Sequence, residues 1–180
     1  MKKVLLAILV MSGLSTAINA QIKCGEGKCG SAMSGEDKPK MMKEMFQSVS
    51  VDKAIILQNG DTKLSCPECG MNLPKFYKTN HSSTVDGKAK QYCSIHCLVG
   101  DINKGLKVKD IKVVDVESLK FINAKDAFYI VGSSKKGTMS KVSKYAFASE
   151  KSAKSFAKDN GGEVLNFDEA IKKAQNDFKK

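Results

Sequence analysis

The chain of 180 residues contains no arginine and no tryptophan, and only two histidines and three prolines. All thirty of its basic residues are lysine, and the formal net charge is +11. The lack of arginine weakens any case for nucleic acid. A guanidinium fork matches phosphates and base edges, whereas lysine offers a point charge. The lysines are also scattered along the chain, so they read as a solvated surface with weak, salt-sensitive attraction to acidic partners. No paired carboxylates, nucleophile–base set or phosphate loop stands out, so hydrolytic and group-transfer chemistry have no visible machinery. Long apolar runs are missing too. Val4 to Leu14 falls short of the roughly 20 residues a membrane-spanning helix needs.

What is present begins with a targeting segment. Lys2 and Lys3, the apolar run, and the small residues from Ser15 to Ala20 have the form of a signal peptide cut after about Ala20. Cys24 follows Gln21-Ile22-Lys23, which is not the context of a lipid-attachment cysteine. These features lead to the expectation of a soluble periplasmic protein that is not a lipoprotein and has no stable membrane insertion after cleavage.

Residues 21–50 form an expected flexible segment carrying cysteine and methionine, rich in glycine, lysine and serine at its start. Pro39, Met41, Met42, Met45 and Phe46 have the spacing of a short amphipathic helix at its end. A domain over 51–178 follows, in two units, 51–118 and 119–178. In the first unit, strands are expected at 54–57 and on the return into Cys66, with a hairpin turn at Asn59-Gly60. Further strands are expected at 78–85, 88–92 and 108–116, with a helix from Ser94 to about Gly105. The second unit repeats the order, with strands at 127–131, 143–148 and 163–165. Its helix is capped by Ser149 and stopped by Gly161-Gly162, and a last helix opens with Asn166 and Glu169 in capping-box spacing. The fold class is therefore α+β: two strand–strand–helix–strand units forming a small, antiparallel-rich sheet with helices.

All six cysteines lie beyond the targeting segment. Cys66-Pro67-Glu68-Cys69-Gly70-Met71 is a knuckle: two thiols two residues apart, a proline to set the turn, a glycine to permit it. Met71 adds a thioether, and thiolate with thioether favours copper(I) over hard cations. Cys93-Ser94-Ile95-His96-Cys97 places two thiols one turn apart at a helix start, with an imidazole beside them. His81 lies between the clusters. Together the two pairs can close into one tetrahedral site, which is also how a structural zinc centre is built. An even cysteine count in an exported protein admits disulfides as well. A thioredoxin-like role is less well supported, because Gly70 and Pro74 oppose a helix after the motif. Cys24 and Cys29 sit in a glycine-rich stretch that could wrap a soft ion, and Met139 in a polar loop is a further sulfur donor.

The segments Cys66-Pro67-Glu68-Cys69-Gly70-Met71 and Gln91-Tyr92-Cys93-Ser94-Ile95-His96-Cys97-Leu98, then Met139, Phe147-Ala148-Ser149 and Gly161-Gly162, resemble the NosL family of copper accessory proteins. The resemblance covers roughly residues 51–170. It implies copper(I) bound by Cys69 and Met71, with Met139 a further ligand, and a paired strand–strand–helix–strand fold. It also implies a carrier, not an enzyme, that delivers copper to an apo cuproenzyme such as nitrous oxide reductase; a copper-exporting membrane transporter is a second candidate partner. The chain departs from the family in carrying four cysteines in the domain, where many members keep one. The sequence supports two readings: a copper(I) metallochaperone, or a structural zinc domain that binds another protein.

Overall fold

The structure is a computed structural model that describes residues 45–179. The expected signal peptide and the Cys24/Cys29 segment lie outside the described residues. Packed chain is already present before Val51. Gln47 is buried, and Phe46 packs edge-on to Tyr145 with ring centroids 5.2 Å apart.

Seven strands and three α-helices follow in order: β1 His81–Val85, β2 Lys88–Tyr92, α1 Ile95–Asn103, β3 Val108–Val114, β4 Phe121–Asn123, β5 Phe128–Val131, β6 Lys144–Phe147, α2 Glu150–Asn160, β7 Glu163–Leu165 and α3 Phe167–Asn176. They build two antiparallel sheets, of order β2-β1-β3-β4 and β6-β5-β7. The repeat expected from sequence is present in the topology. In each unit the first strand is central, the second pairs antiparallel with it, through the turn Asp86-Gly87 in the first unit and a long loop at 132–143 in the second, and the third returns after a helix to its other side. β4 extends the first sheet through register Lys112↔Asn123 to Val114↔Phe121.

The helices form where the sequence signals them. Ser149 Oγ accepts from Ser152 N at the start of α2, and Gly161 closes that helix at φ 70°, a backbone angle glycine adopts without steric cost. Asn166 and Glu169 make the full capping box on α3. β5 shows the period-2 alternation of a strand buried on both faces. Tyr129 and Val131 belong to the main core with α1 and α3, while Ile130 belongs to a second core under α2, with Phe128 packed against it.

The first unit departs from expectation before β1. Residues 54–57 do not pair into a sheet. They form an extended strap whose backbone is bonded by side chains: Ile55 N donates to Tyr77 Oη at 3.0 Å, Leu57 N to Gln91 Oε1 at 2.9 Å, and Gln91 Nε2 to the Ile55 carbonyl at 3.2 Å. The return segment is a turn at 61–64 followed by a single bridge, Ser65↔Asn72. The strand expected from residue 78 starts at His81, because Pro74–Thr79 is a 3-10 helix. Pro74 has no N–H to lose there and presets φ, and Asn72 Oδ1 accepts from Lys75 N at 2.9 Å. No helix among the described residues is long and apolar enough to cross a membrane.

Candidate metal centre

The site is made by two local structures that the fold presses together. The first is the turn from Cys66 to Met71. Gly70 N donates to the Cys66 carbonyl and Cys66 N to the Met71 carbonyl, each at 2.8 Å. This closure needs Gly70 at φ 75°, in the left-handed region where a side chain is strained. The second is the start of α1. Cys93 precedes the N-cap Ser94, and Cys97 lies on the first turn. Unpaired N–H groups there carry partial positive charge and favour thiolate. Glu68 bridges the two structures: Lys104 Nζ lies 2.6 Å from both of its carboxylate oxygens.

Cys66, Cys69, Cys93 and Cys97 bring their sulfurs within 4.8 Å of one another. Sγ of Cys93 lies 3.5 Å from that of Cys69 and 3.6 Å from that of Cys97. All four are free thiols. A soft ion held tetrahedrally at a metal–sulfur distance of about 2.3 Å needs sulfurs about 3.8 Å apart, so shifts of a few tenths of an ångström to about 1 Å would complete the geometry. Cys66, Cys93 and Cys97 are buried, while Cys69 is partly exposed, which makes it the sulfur that solution reaches.

Charge in this group is distributed unevenly. Hydrogen bonds from the Cys93 and Cys97 thiols hold Cys66 well below the ordinary thiol range, against burial and with help from backbone N–H groups of Cys93 and Glu68. Cys93 and Cys97 are pushed up, chiefly by those same bonds to Cys66. A thiolate at Cys66 beside protonated Cys93 and Cys97 is the charge distribution these contacts favour without a cation. A bound ion would displace the remaining protons and repay the crowding.

The other residues singled out from sequence are placed as follows. Met71 is partly buried against the main core. His81 is fully buried, and its ring is engaged on both sides: Nδ1 lies 3.1 Å from the Thr79 carbonyl and Nε2 3.1 Å from Tyr129 Oη. A carbonyl only accepts, so Nδ1 carries the proton and Nε2 accepts from the tyrosine. Burial pushes this imidazole down to about 4, and the neutral ring joins one sheet to the other. His81 thus stands outside the convergent donors. So does His96, whose ring stacks on Phe178 at 4.2 Å, with Nδ1 3.9 Å from Asp177 Oδ2. Burial lowers its pKa, partly offset by Asp177. Ser94 Oγ and His96 Nδ1 are the two buried side-chain polar atoms without a hydrogen-bond partner among the described residues. Both lie within the Cys93–Cys97 turn. Met139 is 42% exposed and left-handed at φ 62°. Cys24 and Cys29 lie outside the described residues.

Sequence reasoning missed the polar framework behind the site. Thr79 Oγ1 donates to the Cys93 carbonyl at 2.7 Å and is bonded to Thr138 Oγ1 at 2.9 Å. Buried Lys144 is paired with Asp177 at 2.8 Å. Partners separated by 59 and 33 positions leave no local pattern to find.

Comparison with known proteins gives the same direction. No curated protein matches the chain. Among solved structures, the copper chaperone NosL from Shewanella denitrificans matches with 27% identity and a TM-score of 0.50, over 62% of this chain and 92% of that one. Residues 59–175, a stretch that takes in all four clustered cysteines and Met139, match the sequence model of NosL. With a match over more than half its length, the chain belongs to the NosL family.

Proposed function

We propose that this protein is a periplasmic copper(I) carrier that passes its ion to an apo cuproenzyme, with nitrous oxide reductase the first candidate. The observation that carries the reading is the convergence of four free thiols within 4.8 Å. The structural likeness to a copper chaperone supports it. Cys69 and Met71 receive the ion at the accessible side, Met139 closes on it, and Cys66, Cys93 and Cys97 complete or exchange the sulfur set. Polarisable thiolate and thioether donors suit a monovalent d10 ion. Copper(I) tolerates low coordination, so it can leave by stepwise ligand exchange with an acceptor that approaches the partly exposed Cys69. The ion is cargo, and the chain supplies binding and orientation, not catalysis. The Cys24/Cys29 segment would capture the ion or hand it on.

Competition with a chromogenic copper(I) chelator under anaerobic conditions tests the assignment. Cys69→Ser is expected to lower affinity sharply and Met71→Leu moderately. Wild-type affinity in both variants would refute it.

One observation favours a second reading. Sulfur spacings of 3.5 and 3.6 Å at this turn and helix start also suit zinc in a closed four-cysteine site. Protein purified anaerobically from an exported compartment would then carry zinc that a strong copper(I) source fails to displace.

A further inference from the structure

We propose that Lys144, together with Asp177, is a positioning residue for copper binding: it fixes the loop that carries Met139, whose neighbour Thr138 is hydrogen-bonded through Thr79 to the Cys93 carbonyl. The inference rests on the copper reading above, in which Met139 is a ligand.

A lysine buried in the middle of the molecule is costly unless its charge and its three donors are all met. Lys144 is 5% exposed. Its ammonium reaches Asp177 Oδ2 at 2.8 Å, Ser140 Oγ at 3.2 Å and the Val142 carbonyl at 3.2 Å. Two of these three partners belong to the loop after Met139, and the third belongs to the turn that ends α3. Asp177 Oδ2 also faces His96 Nδ1 at 3.9 Å, and His96 is the neighbour of Cys97. One tether therefore runs from Ser140 through Lys144 to Asp177 at the end of α3, whose carboxylate stands beside His96 without a hydrogen bond to it.

A second tether, on the other side of Met139, reaches the start of α1. Thr138 Oγ1 bonds to Thr79 Oγ1 at 2.9 Å, and Thr79 donates to the Cys93 carbonyl at 2.7 Å. Met139 lies between the two tethered residues, Thr138 and Ser140. Its backbone is left-handed, a conformation a non-glycine residue holds only when its surroundings over-determine it. Its side chain remains 42% exposed, so burial does not account for the arrangement. Tight loop closure adds to the constraint: a Cβ on Gly137 would stand 2.5 Å from the Ser140 carbonyl oxygen. A thioether on a loop bracketed in this way can meet an ion at the cysteines without first being ordered, which is what a loosely held methionine would have to do on binding.

The test measures copper(I) affinity anaerobically by chelator competition in the full chain, for wild type, Met139→Leu, Lys144→Met, Asp177→Asn and the Lys144→Met/Met139→Leu double variant. Met139→Leu and Lys144→Met are each expected to weaken copper(I) by about tenfold. The double variant is expected to be no weaker than Met139→Leu alone, because both changes remove one interaction. Zinc(II) affinity, to which a thioether contributes little, should stay at the wild-type value throughout. In protein labelled at methionine methyls, the Met139 signal should shift on adding copper(I) to wild type and fail to shift in Lys144→Met. If Lys144→Met does not fold, Asp177→Asn takes its place in the same comparison. Lys144→Met binding copper(I) like wild type while Met139→Leu binds weakly would overturn the proposal, as would additive losses. Unchanged affinity in Met139→Leu would overturn it too, since nothing would need positioning. The copper reading itself would survive that last result and fall only if Cys69→Ser also bound like wild type.

Discussion

Between pH 6.5 and pH 4 the folded protein should lose stability in part through His81. The imidazole is neutral and fully buried, with Nδ1 bonded to the local Thr79 carbonyl and Nε2 to Tyr129 in the other sheet. It would titrate near 6.5 in the unfolded chain and at about 4 in the folded one. The unfolded state therefore binds the proton first as pH falls. Stability is complete above pH 6.5, declines through the window, and is lost to this group by about pH 4. The gap corresponds to something on the order of 3 kcal/mol, a large share of the roughly 5–15 kcal/mol that a domain possesses. Urea unfolding of reduced, metal-free protein at half-unit pH steps measures it. His81→Leu should be less stable at pH 7 by about 1–3 kcal/mol, because the Tyr129 hydroxyl and Thr79 carbonyl lose their partner. Its dependence on pH across the window should be shallower by about one proton. His96, lowered by burial, and Asp101 and Asp115, held low by Lys90 and Tyr92 and by Ser118 and Ala148 respectively, against burial, titrate in both proteins and cancel in the difference. Parallel pH curves for wild type and His81→Leu would refute the reasoning.

Gln91→Leu should cost about 2–3 kcal/mol and free the strap at 54–57, since Leu57 N, the Ile55 carbonyl and Asn80 Oδ1 all bond to this amide and would be left unpaired. Limited proteolysis should then cut between residues 54 and 60 much faster than in wild type. Gly137→Ala should destabilise by about 1–3 kcal/mol in urea titrations, because its Cβ meets backbone at 2.5 Å and the loop must shift. Asn166→Ala should lower stability by about 1 kcal/mol through loss of the capping box on α3, with no change in copper(I) affinity.

The repeated strand–strand–helix–strand order was legible because its signals are local. Asp86-Gly87 turns β1 into β2, Ser149 and Asn166 cap their helices, and Gly161-Gly162 stops α2. The Cys66–Met71 knuckle was legible for the same reason. That the thiols of Cys66 and Cys69 meet those of Cys93 and Cys97 was an inference from spacing, and the structure brings them together. Elements decided by distant partners were misread. Ala54-Ile55-Ile56-Leu57 has the composition of a strand, yet its backbone is satisfied by Tyr77 and Gln91 side chains. The division into two sheets, with β4 added to the first, depends on long-range pairing that no short window records. His81 has the appearance of a ligand in a sequence poor in histidine, and only Tyr129, 48 residues away, reveals its structural bond.

X-ray absorption at the copper edge, on protein loaded with one equivalent of copper(I) under anaerobic conditions, tests the central claim most directly. The account predicts a first shell of sulfur alone at about 2.3 Å, with fewer sulfurs in Cys69→Ser and the clustered thiols protected from alkylation. A shell of nitrogen or oxygen donors, or four thiols that alkylate freely in the loaded protein, would contradict it.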